Sequence, residues 1–246
     1  MAKNTNEQAD LSLCPSREMI REFNNHGIEE LRLWRRGVDT ELFSPEKYSS
    51  AMRSRLTDGH PEAPLIIYAG RLSDEKEIYM LRPILEEFPS VRAAIIGDGP
   101  IKEKLQKWFE DTPTTFTGFL EGEELAQAYA SADVFIFPSQ SETLGLVALE
   151  AMAAGTPVIG ARAGGITELL DDGATGYFFE PGSRKDLLQK AALLIEDPEH
   201  LKTMSETAHR EAQRWSWRKA TEELSEMYRE VLESKTVAAE AEASRS

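Results

Sequence analysis

The sequence predicts an α/β fold, a doubly wound parallel sheet of the Rossmann-like type, and two observations support this prediction. Six short apolar runs lie between residues 65 and 179, and most of them do not alternate with polar residues. Strands of this kind are typical of sheets that helices cover on both faces. Helical segments separate the runs, and strands that alternate with helices form right-handed βαβ units in a parallel sheet.

The elements follow one another in a regular order. The predicted strands cover residues 65–69, 91–96, 114–117, 134–137, 158–160 and 177–179. Helices are expected between them at roughly 76–88, 101–110, 122–131, 144–154 and 165–171, and Pro83 should kink or divide the first. Three more helices are expected near 183–195, 199–213 and 217–233, the first opening with a capping box.

The chain divides into three predicted parts. Residues 1–40 contain two short strand candidates and a helix, which cannot cover one another's apolar faces, so we expect a remnant of another domain and a hinge ending near Thr40. Residues 41–233 form the predicted ligand-binding domain with its C-terminal helices. Residues 234–246 are low in apolar content and are predicted to be a disordered tail.

Composition excludes several classes of protein. The net charge of −15 argues against a nucleic-acid partner, because little would neutralise a run of phosphates. Cys14 is the single cysteine, which excludes an internal disulfide and fits a reducing compartment. No apolar run has membrane-spanning length and the N-terminus does not resemble a signal peptide. We expect a protein that is cytoplasmic or peripheral on the cytoplasmic face of a membrane, without a transmembrane segment.

The stretch from residue 139 to 160 carries the strongest signal of a binding site. Thr143 is placed to cap a helix over residues 144–154, which Gly155 ends. Gly145 has no Cβ to keep a ligand away, so this helix start suits an anionic group such as a phosphate. The unpaired amide donors of the N-terminus are predicted to be those of Leu144, Gly145 and Leu146.

Two glutamates flank this helix start. Glu142 precedes the helix, and Glu150 is alone within an otherwise apolar helix. A buried carboxylate is costly unless something binds it, so the pair could hold hydroxyl groups on either side of a bound phosphate. The alternative is that Glu142 only caps the helix and Glu150 points to solvent.

Charged groups should converge where the strand order reverses. With the usual order 3-2-1-4-5-6, the loop after the first strand, with Arg71 and Lys76, lies beside the loop after the fourth, with Glu142. Two cations beside free amides suit a diphosphate. Alternatively, Arg71 and Lys76 lie in a solvated loop.

Other candidate groups give weaker signals. Gly97 and Gly99 form a turn near the expected crevice or are only turn residues. The sequence has no Asp-x-Asp motif and no histidines at metal-ligand spacing, so we expect no metal and no cofactor.

Several separated motifs together resemble the donor-binding domain of the retaining GT-B glycosyltransferases of family 4. They are GRLSDEK, IIGDGP, FTGFL, and the Glu142–Glu150 pair followed by AAGTPVI, and the resemblance covers roughly residues 36–231. It implies a UDP-sugar donor, and it implies that Arg71, Lys76 and Glu142 carry the catalysis: the two cations neutralise the leaving diphosphate and Glu142 binds sugar hydroxyls. The implied donor-binding residues are Gly70, Thr143, Leu144, Gly145, Leu146, Glu150 (for the ribose), and Gly118, Phe119 and Leu120 (beside the nucleobase).

Two departures from the family pattern stand out. Glu77 occupies a position where a glycine commonly follows the lysine. The family also has a full first domain with the acceptor site, of which residues 1–40 would be the last part.

Longer stretches such as LRLWRRGVDTELFSP and ARAGGITELL are similar to the sulfoquinovosyltransferases of sulfolipid synthesis. That similarity implies transfer of sulfoquinovose from UDP to diacylglycerol, a lipid acceptor at a membrane surface. Arg162 is a candidate cation near such an anionic sugar, or a structural arginine at a strand end.

The sequence thus predicts a retaining hexosyltransferase whose donor site lies in this chain, with the isolated chain inactive. Two alternatives stay open: a truncated, non-catalytic nucleotide-sugar-binding module, and a sugar-nucleotide epimerase of the same fold.

Overall fold

The computed structural model describes residues 9–243, so residues 1–8 of the predicted remnant and 244–246 of the predicted tail lie outside the described residues. The chain forms two compact units. The larger unit is Val38–Arg214, and the smaller combines the residues up to Gly37 with those from Trp215 onward.

The larger unit is built on a six-stranded parallel sheet. Strands β1 (Ser12–Cys14) and β2 (Leu31–Leu33) belong to the smaller unit; the sheet contains β3 (Leu65–Ala69), β4 (Arg92–Ile96), β5 (Thr114–Gly118), β6 (Val134–Phe137), β7 (Val158–Ala161) and β8 (Gly176–Phe179). Their order is β5-β4-β3-β6-β7-β8, and every neighbouring pair is parallel. The predicted fold class and strand order are therefore confirmed.

Helices cover the sheet on both faces. The helices are α1 (Arg17–Asn25), α2 (Ser50–Leu56), α3 (Arg82–Glu87), α4 (Lys102–Trp108), α5 (Gly122–Ala130), α6 (Leu146–Ala153), α7 (Arg184–Ile195), α8 (Pro198–Ala212) and α9 (Trp217–Ala243). Helices α3, α4 and α7 share one core cluster with alternate residues of the strands, such as Ile66 and Ile95. On the other face α6 packs against α5 and α8. No helix within residues 9–243 is long and apolar enough to cross a membrane.

Two predicted helices have a different form. The segment 76–88 is divided into two 3-10 turns, Asp74–Lys76 and Ile78–Leu81, followed by α3, in which Pro83 occupies the first turn. Proline fits there because the first helical amides have no partner within the helix. The predicted helix at 165–171 is a 3-10 segment, Gly164–Glu168.

The smaller unit corrects the predicted domain boundaries. Strands β1 and β2, which precede and follow α1 in the chain, form a parallel pair, and α9 belongs to this unit, whereas the sequence analysis placed residues 217–233 in the 41–233 domain. The Trp34 indole donates to the carbonyl of Ala220 at 2.7 Å, and Arg32 pairs with Glu230 at 2.6 Å. Helix α9 also continues to Ala243, where the sequence predicted disorder from residue 234. Helical periodicity along one segment does not reveal which distant segment it packs against.

Candidate functional site

The loops that follow β3 and β6 meet at the carboxyl edge of the sheet. The Lys76 ammonium group forms an ion pair with Oε1 of Glu142, and the two side chains are 19% and 23% exposed. The structure thus brings together two of the three residues predicted to be catalytic. Their meeting point is where the strand order reverses, between β3 and β6.

A second contact joins the same two loops. The amide of Gln140 donates to a carboxylate oxygen of Glu77 at 2.5 Å. Glu77 has a left-handed backbone with φ of 50° and ψ of 34°, which favours glycine. The strained conformation of Glu77 explains why a glycine suits this position.

Close backbone contacts hold the 70–76 loop in place. The Gly70 amide donates to the Ile96 carbonyl at 3.0 Å, and the Gly97 amide donates to the Gly118 carbonyl at 2.8 Å. A Cβ on Gly97 would lie 1.9 Å from the Gly70 carbonyl oxygen, and one on Gly99 would lie 2.3 Å from that of Leu72. Gly97 and Gly99 are therefore needed for close approach of two loops, beyond their role in a turn.

Arg71 lies in the same loop, and its side chain is exposed to solvent. Its carbonyl accepts a hydrogen bond of 2.9 Å from the hydroxyl of Tyr68, which fixes the backbone. Burial, with the nearby carboxylates of Glu142 and Glu75, raises the pKa of Tyr68. The hydroxyl therefore stays protonated and can act as the donor.

Helix α6 begins later than predicted. Its first residue is Leu146, and Gly145 is the N-cap with φ of 78°. Thr143 is exposed and does not cap the helix, while Leu144 is buried at 2% exposure. The left-handed backbone of Gly145 interrupts the helix before these residues can join it. The amide donors at the helix start are accordingly those of Leu146 and the residue after it.

Gly164 and Gly165 pack closely against the backbone of the loop before α6. The Gly165 amide donates to the Glu142 carbonyl at 2.8 Å. A Cβ on Gly165 would lie 2.3 Å from the Thr143 carbonyl oxygen. The sequence analysis did not assign these two glycines to the site, although a Gly-Gly pair directly after a strand is a signal of close backbone packing.

Glu150 lies one turn into α6, and its carboxylate does not point into open solvent. Burial raises the pKa of Glu150 to about 7, and a hydrogen bond from Tyr129 acts in the opposite direction. The Tyr129 hydroxyl donates to Oε2 of Glu150 at 3.2 Å. Tyr129 is a functional candidate that the sequence analysis missed; a tyrosine between two alanines on a predicted helix was its signal.

The loop after β5 also reaches this edge. The register between β4 and β5 shifts by one residue at Ile95 and Ile96, and Gly118, the last residue of β5, has φ of 74°. Phe119 is 71% exposed, whereas Leu120 is buried at 5%. The side chain of Phe119 and the backbone of Leu120 are thus the groups that this loop can offer to a ligand.

Arg162 has a structural setting. Its guanidinium lies over the Phe178 ring at 4.7 Å and pairs with Asp172 at 2.6 Å. The backbone amide of Phe178 donates to the same aspartate at 2.9 Å. These contacts tie the ends of β7 and β8 together and favour the structural interpretation of this arginine.

The crevice offers an exposed arginine, a lysine, a helix N-terminus and the carboxylate of Glu142, and Glu150 lies one turn into the helix that begins there. Cations and free amides suit phosphate oxygens, and carboxylates suit sugar hydroxyls. Among the described residues, no group of three or more His, Cys, Asp or Glu side chains could hold a metal ion.

Curated proteins that are similar to this chain include glycosyltransferases. Sulfoquinovosyl transferase SQD2 of Arabidopsis thaliana is 46% identical over 88% of this chain, which corresponds to 44% of that protein. A GDP-mannose-dependent alpha-mannosyltransferase of Corynebacterium glutamicum is 34% identical over 94% of the chain and 55% of its own length. The chain therefore spans about half the length of the curated relatives that it matches.

Solved structures share the fold. Anabaena HepE, in complex with UDP-glucose, superposes with a TM-score of 0.81 at 25% identity, over 90% of this chain and 64% of the other. Sucrose-phosphate synthase from Thermosynechococcus elongatus gives the same TM-score and identity over 95% of this chain and 61% of its own. Residues 57–211, more than half of the chain, match the family described as glycosyl transferases group 1. The sheet and these matches agree, and the chain belongs to the group 1 glycosyl transferases, with a GT-B type Rossmann-like fold.

Proposed function

We propose that the chain binds a UDP-sugar between the 70–76 and 138–146 loops and provides the donor half of a retaining hexosyltransferase. The observation that carries the proposal is the Lys76–Glu142 ion pair at the strand-order reversal, beside the N-terminus of α6. The complex of HepE with UDP-glucose supports a UDP-sugar as the donor.

Donor binding in this site is an exchange of partners. Without a ligand, Lys76 is neutralised by Glu142. A diphosphate offers Lys76 a doubly charged partner, and Arg71 is free in solvent to add a bidentate contact. Glu142 is then released to accept hydrogen bonds from sugar hydroxyls.

The same groups would serve the transfer step. As the glycosidic bond breaks, negative charge builds up on the leaving UDP, and Arg71, Lys76 and the amides at the start of α6 stabilise it. Glu142 orients the sugar, and the acceptor hydroxyl approaches on the face from which UDP departs. Glu150 holds the ribose diol, and Phe119 flanks the nucleobase.

The first test concerns the diphosphate. Arg71→Ala removes a charge-assisted contact, which should cost about 1.5–3 kcal/mol, or roughly a ten- to a hundredfold loss of UDP affinity. Isothermal titration calorimetry with UDP measures the loss, and Arg55→Ala, an exposed arginine on α2, is the matched control. Equal affinity of the parent and Arg71→Ala would refute the assignment.

The two glutamates can be separated with two ligands. Glu150→Gln should weaken UDP and UDP-glucose alike, because both carry the ribose. Glu142→Gln should weaken only UDP-glucose, and it should spare or strengthen UDP, since Lys76 loses a competing partner. If both variants lose both ligands equally, the roles are wrongly assigned.

For the finer activity we propose transfer of sulfoquinovose to diacylglycerol, on the similarity to the Arabidopsis enzyme. The isolated chain is expected to bind donor without transferring it, because retaining transfer needs an acceptor held against the sugar, an effect worth about 7–11 kcal/mol. The assay incubates the chain with UDP-sulfoquinovose and diacylglycerol, with UDP-glucose as the comparison donor. Multiple-turnover glycolipid formation would place the acceptor site within these residues.

A further inference from the structure

Tyr129 is held rigidly in the core beneath the crevice. It lies on α5 at 0% exposure, with the rings of Phe43 and Phe135 edge-on to it at centroid distances of 5.8 and 5.7 Å. Its carbonyl accepts a hydrogen bond of 2.6 Å from the hydroxyl of Thr156. Because rings pack against it on two sides and its backbone is fixed, the phenol ring is held in one position.

The hydroxyl of this buried ring has a functional neighbour. A buried phenol requires a hydrogen-bond partner, and here the partner is Oε2 of Glu150 at 3.2 Å. Burial and the Glu150 carboxylate raise the pKa of Tyr129 well above its ordinary value, so the hydroxyl remains a donor. A donor of this kind favours the ionised form of the carboxyl group.

We propose that Tyr129 is a positioning residue for the donor: it holds one carboxylate oxygen of Glu150 so that the other can accept the ribose diol. The inference rests on the proposed function, in which Glu150 binds the ribose. Tyr129 acts on ligand only through Glu150, because its ring is fully buried. Its second effect is to favour the ionised form of the desolvated Glu150 carboxyl group.

Other ionisable groups lie around α6. From β3, Tyr68 interacts electrostatically with Tyr129. From α8, the Nδ1 atom of His209 lies 2.7 Å from the carbonyl oxygen of Ala153. The strands beside the helix, Val134–Phe137 and Val158–Ala161, carry no ionisable residue. A Glu150→Gln variant removes the titration of Glu150 and leaves that of Tyr68.

The test is the pH dependence of UDP-glucose affinity in Tyr129→Phe. Its dissociation constant relative to the parent should be about three- to tenfold higher near pH 7, because loss of the hydroxyl raises the pKa of Glu150. A smaller excess should remain at pH 9, where Glu150 is charged but its second oxygen is no longer held. UDP-glucose is the ligand because both of its phosphate groups are esterified. The terminal phosphate group of UDP would itself titrate, with a pKa of about 6. Tyr177→Phe, which removes a hydroxyl bonded to His200 at 2.8 Å, is the matched control.

A second measurement determines the pKa of Glu150 in the absence of ligand. Carbon-13 NMR of the Glu carboxyl groups, assigned with Glu150→Gln, should show a higher pKa for Glu150 in Tyr129→Phe than in the parent. A purely structural role for Tyr129 would lower affinity equally at every pH and leave that pKa unchanged, and this result would overturn the inference.

Different results would contradict the ribose role of Glu150 and the positioning role of Tyr129. If Glu150→Gln binds UDP-glucose as tightly as the parent, the ribose role of Glu150 is wrong and the inference falls with it. If Glu150→Gln weakens binding but the ratio for Tyr129→Phe does not depend on pH, only the role of Tyr129 is wrong.

Discussion

The burial of Glu150 costs the folded protein stability at neutral and alkaline pH. Its pKa is raised from 4.5 to about 7 by burial, so the folded protein retains a proton between those values that the unfolded chain has released. Stability therefore falls as pH rises from about 4.5 to 7 and stays reduced above that, by at most about 3 kcal/mol. The cost is that of a charged group in a desolvated place.

Glu150→Gln should remove this pH dependence. The glutamine can still accept the Tyr129 hydrogen bond and carries no charge, so the variant should be more stable than the parent above pH 7 and similar to it near pH 4. Urea unfolding at pH 4.5 and pH 8 measures the difference. A variant that is less stable than the parent at pH 8 would contradict a desolvated carboxylate at this position.

Glu77 is one of the non-glycine residues with a left-handed backbone. Its left-handed conformation, with φ of 50°, costs a non-glycine residue about 1–2 kcal/mol, and glycine would give back part of this as unfolded-chain entropy. We expect Glu77→Gly to be more stable by about 0.5–1 kcal/mol in thermal unfolding. Asp58→Gly, at the same φ of 50° but away from the crevice, is the control.

The comparison between these two glycine variants isolates the Gln140 contact. Both relieve the same backbone strain, but only Glu77→Gly also loses a hydrogen bond, the one from Gln140. If Glu77→Gly gains less stability than Asp58→Gly, the difference between the two gains equals the contribution of that hydrogen bond. A larger gain would mean that the contact is unfavourable.

At the scale of elements, the strand ends of β3, β4 and β5 are joined through glycines. Gly97→Ala would place a Cβ 1.9 Å from the Gly70 carbonyl oxygen, at φ of 133°. We expect a loss of about 3 kcal/mol of stability and weaker UDP binding, because the 70–76 loop must move. Gly182→Ala, also at positive φ (72°) but with nothing within 4 Å, is the control and should lose only the backbone cost. Urea unfolding measures the loss of stability, and UDP calorimetry measures the loss of affinity. Unchanged UDP affinity would show that the loop stays in place.

Elements differed in how well the sequence specified them. Strands 65–69 and 134–137 were predicted with their observed bounds, because continuous apolar runs have only one place in a parallel sheet. The start of α6 was wrong because a glycine in helix-forming surroundings does not reveal the sign of its φ. The convergence of Lys76 and Glu142 was predictable because topology alone determines it. The Tyr129–Glu150 contact was not, since it depends on how α5 packs against α6.

At the scale of the whole molecule, the two units differ in how well their apolar residues are covered. In the larger unit every residue of β3, β6 and β7 is buried. Among residues 9–37 of the smaller unit, only Cys14, Ser16 and Gly37 are buried. The pairing of α9 with this unit could not be predicted from the sequence, because no motif links residues so far apart.

Hydrogen exchange should reflect this difference. Amides of β1 and β2 should exchange at least about a hundredfold faster than those of β3 and β6, since local opening exposes little additional apolar surface there. Mass-spectrometric exchange at neutral pH provides the measurement, and saturating UDP should slow exchange in the 70–76 and 138–146 loops without affecting β1. Equal protection of β1 and β3 would indicate that both units open together.

The linked glycines at the ends of three strands also matter for engineering. Gly97 packs against Gly70, and its amide donates to the carbonyl of Gly118, so the three loops around the crevice share one backbone arrangement. A single loop taken from a relative with another sugar preference would have to pack against two neighbouring loops that are unchanged. Redesign of donor choice is therefore best attempted by exchanging all three loops, with the ends of their strands, as a single cassette.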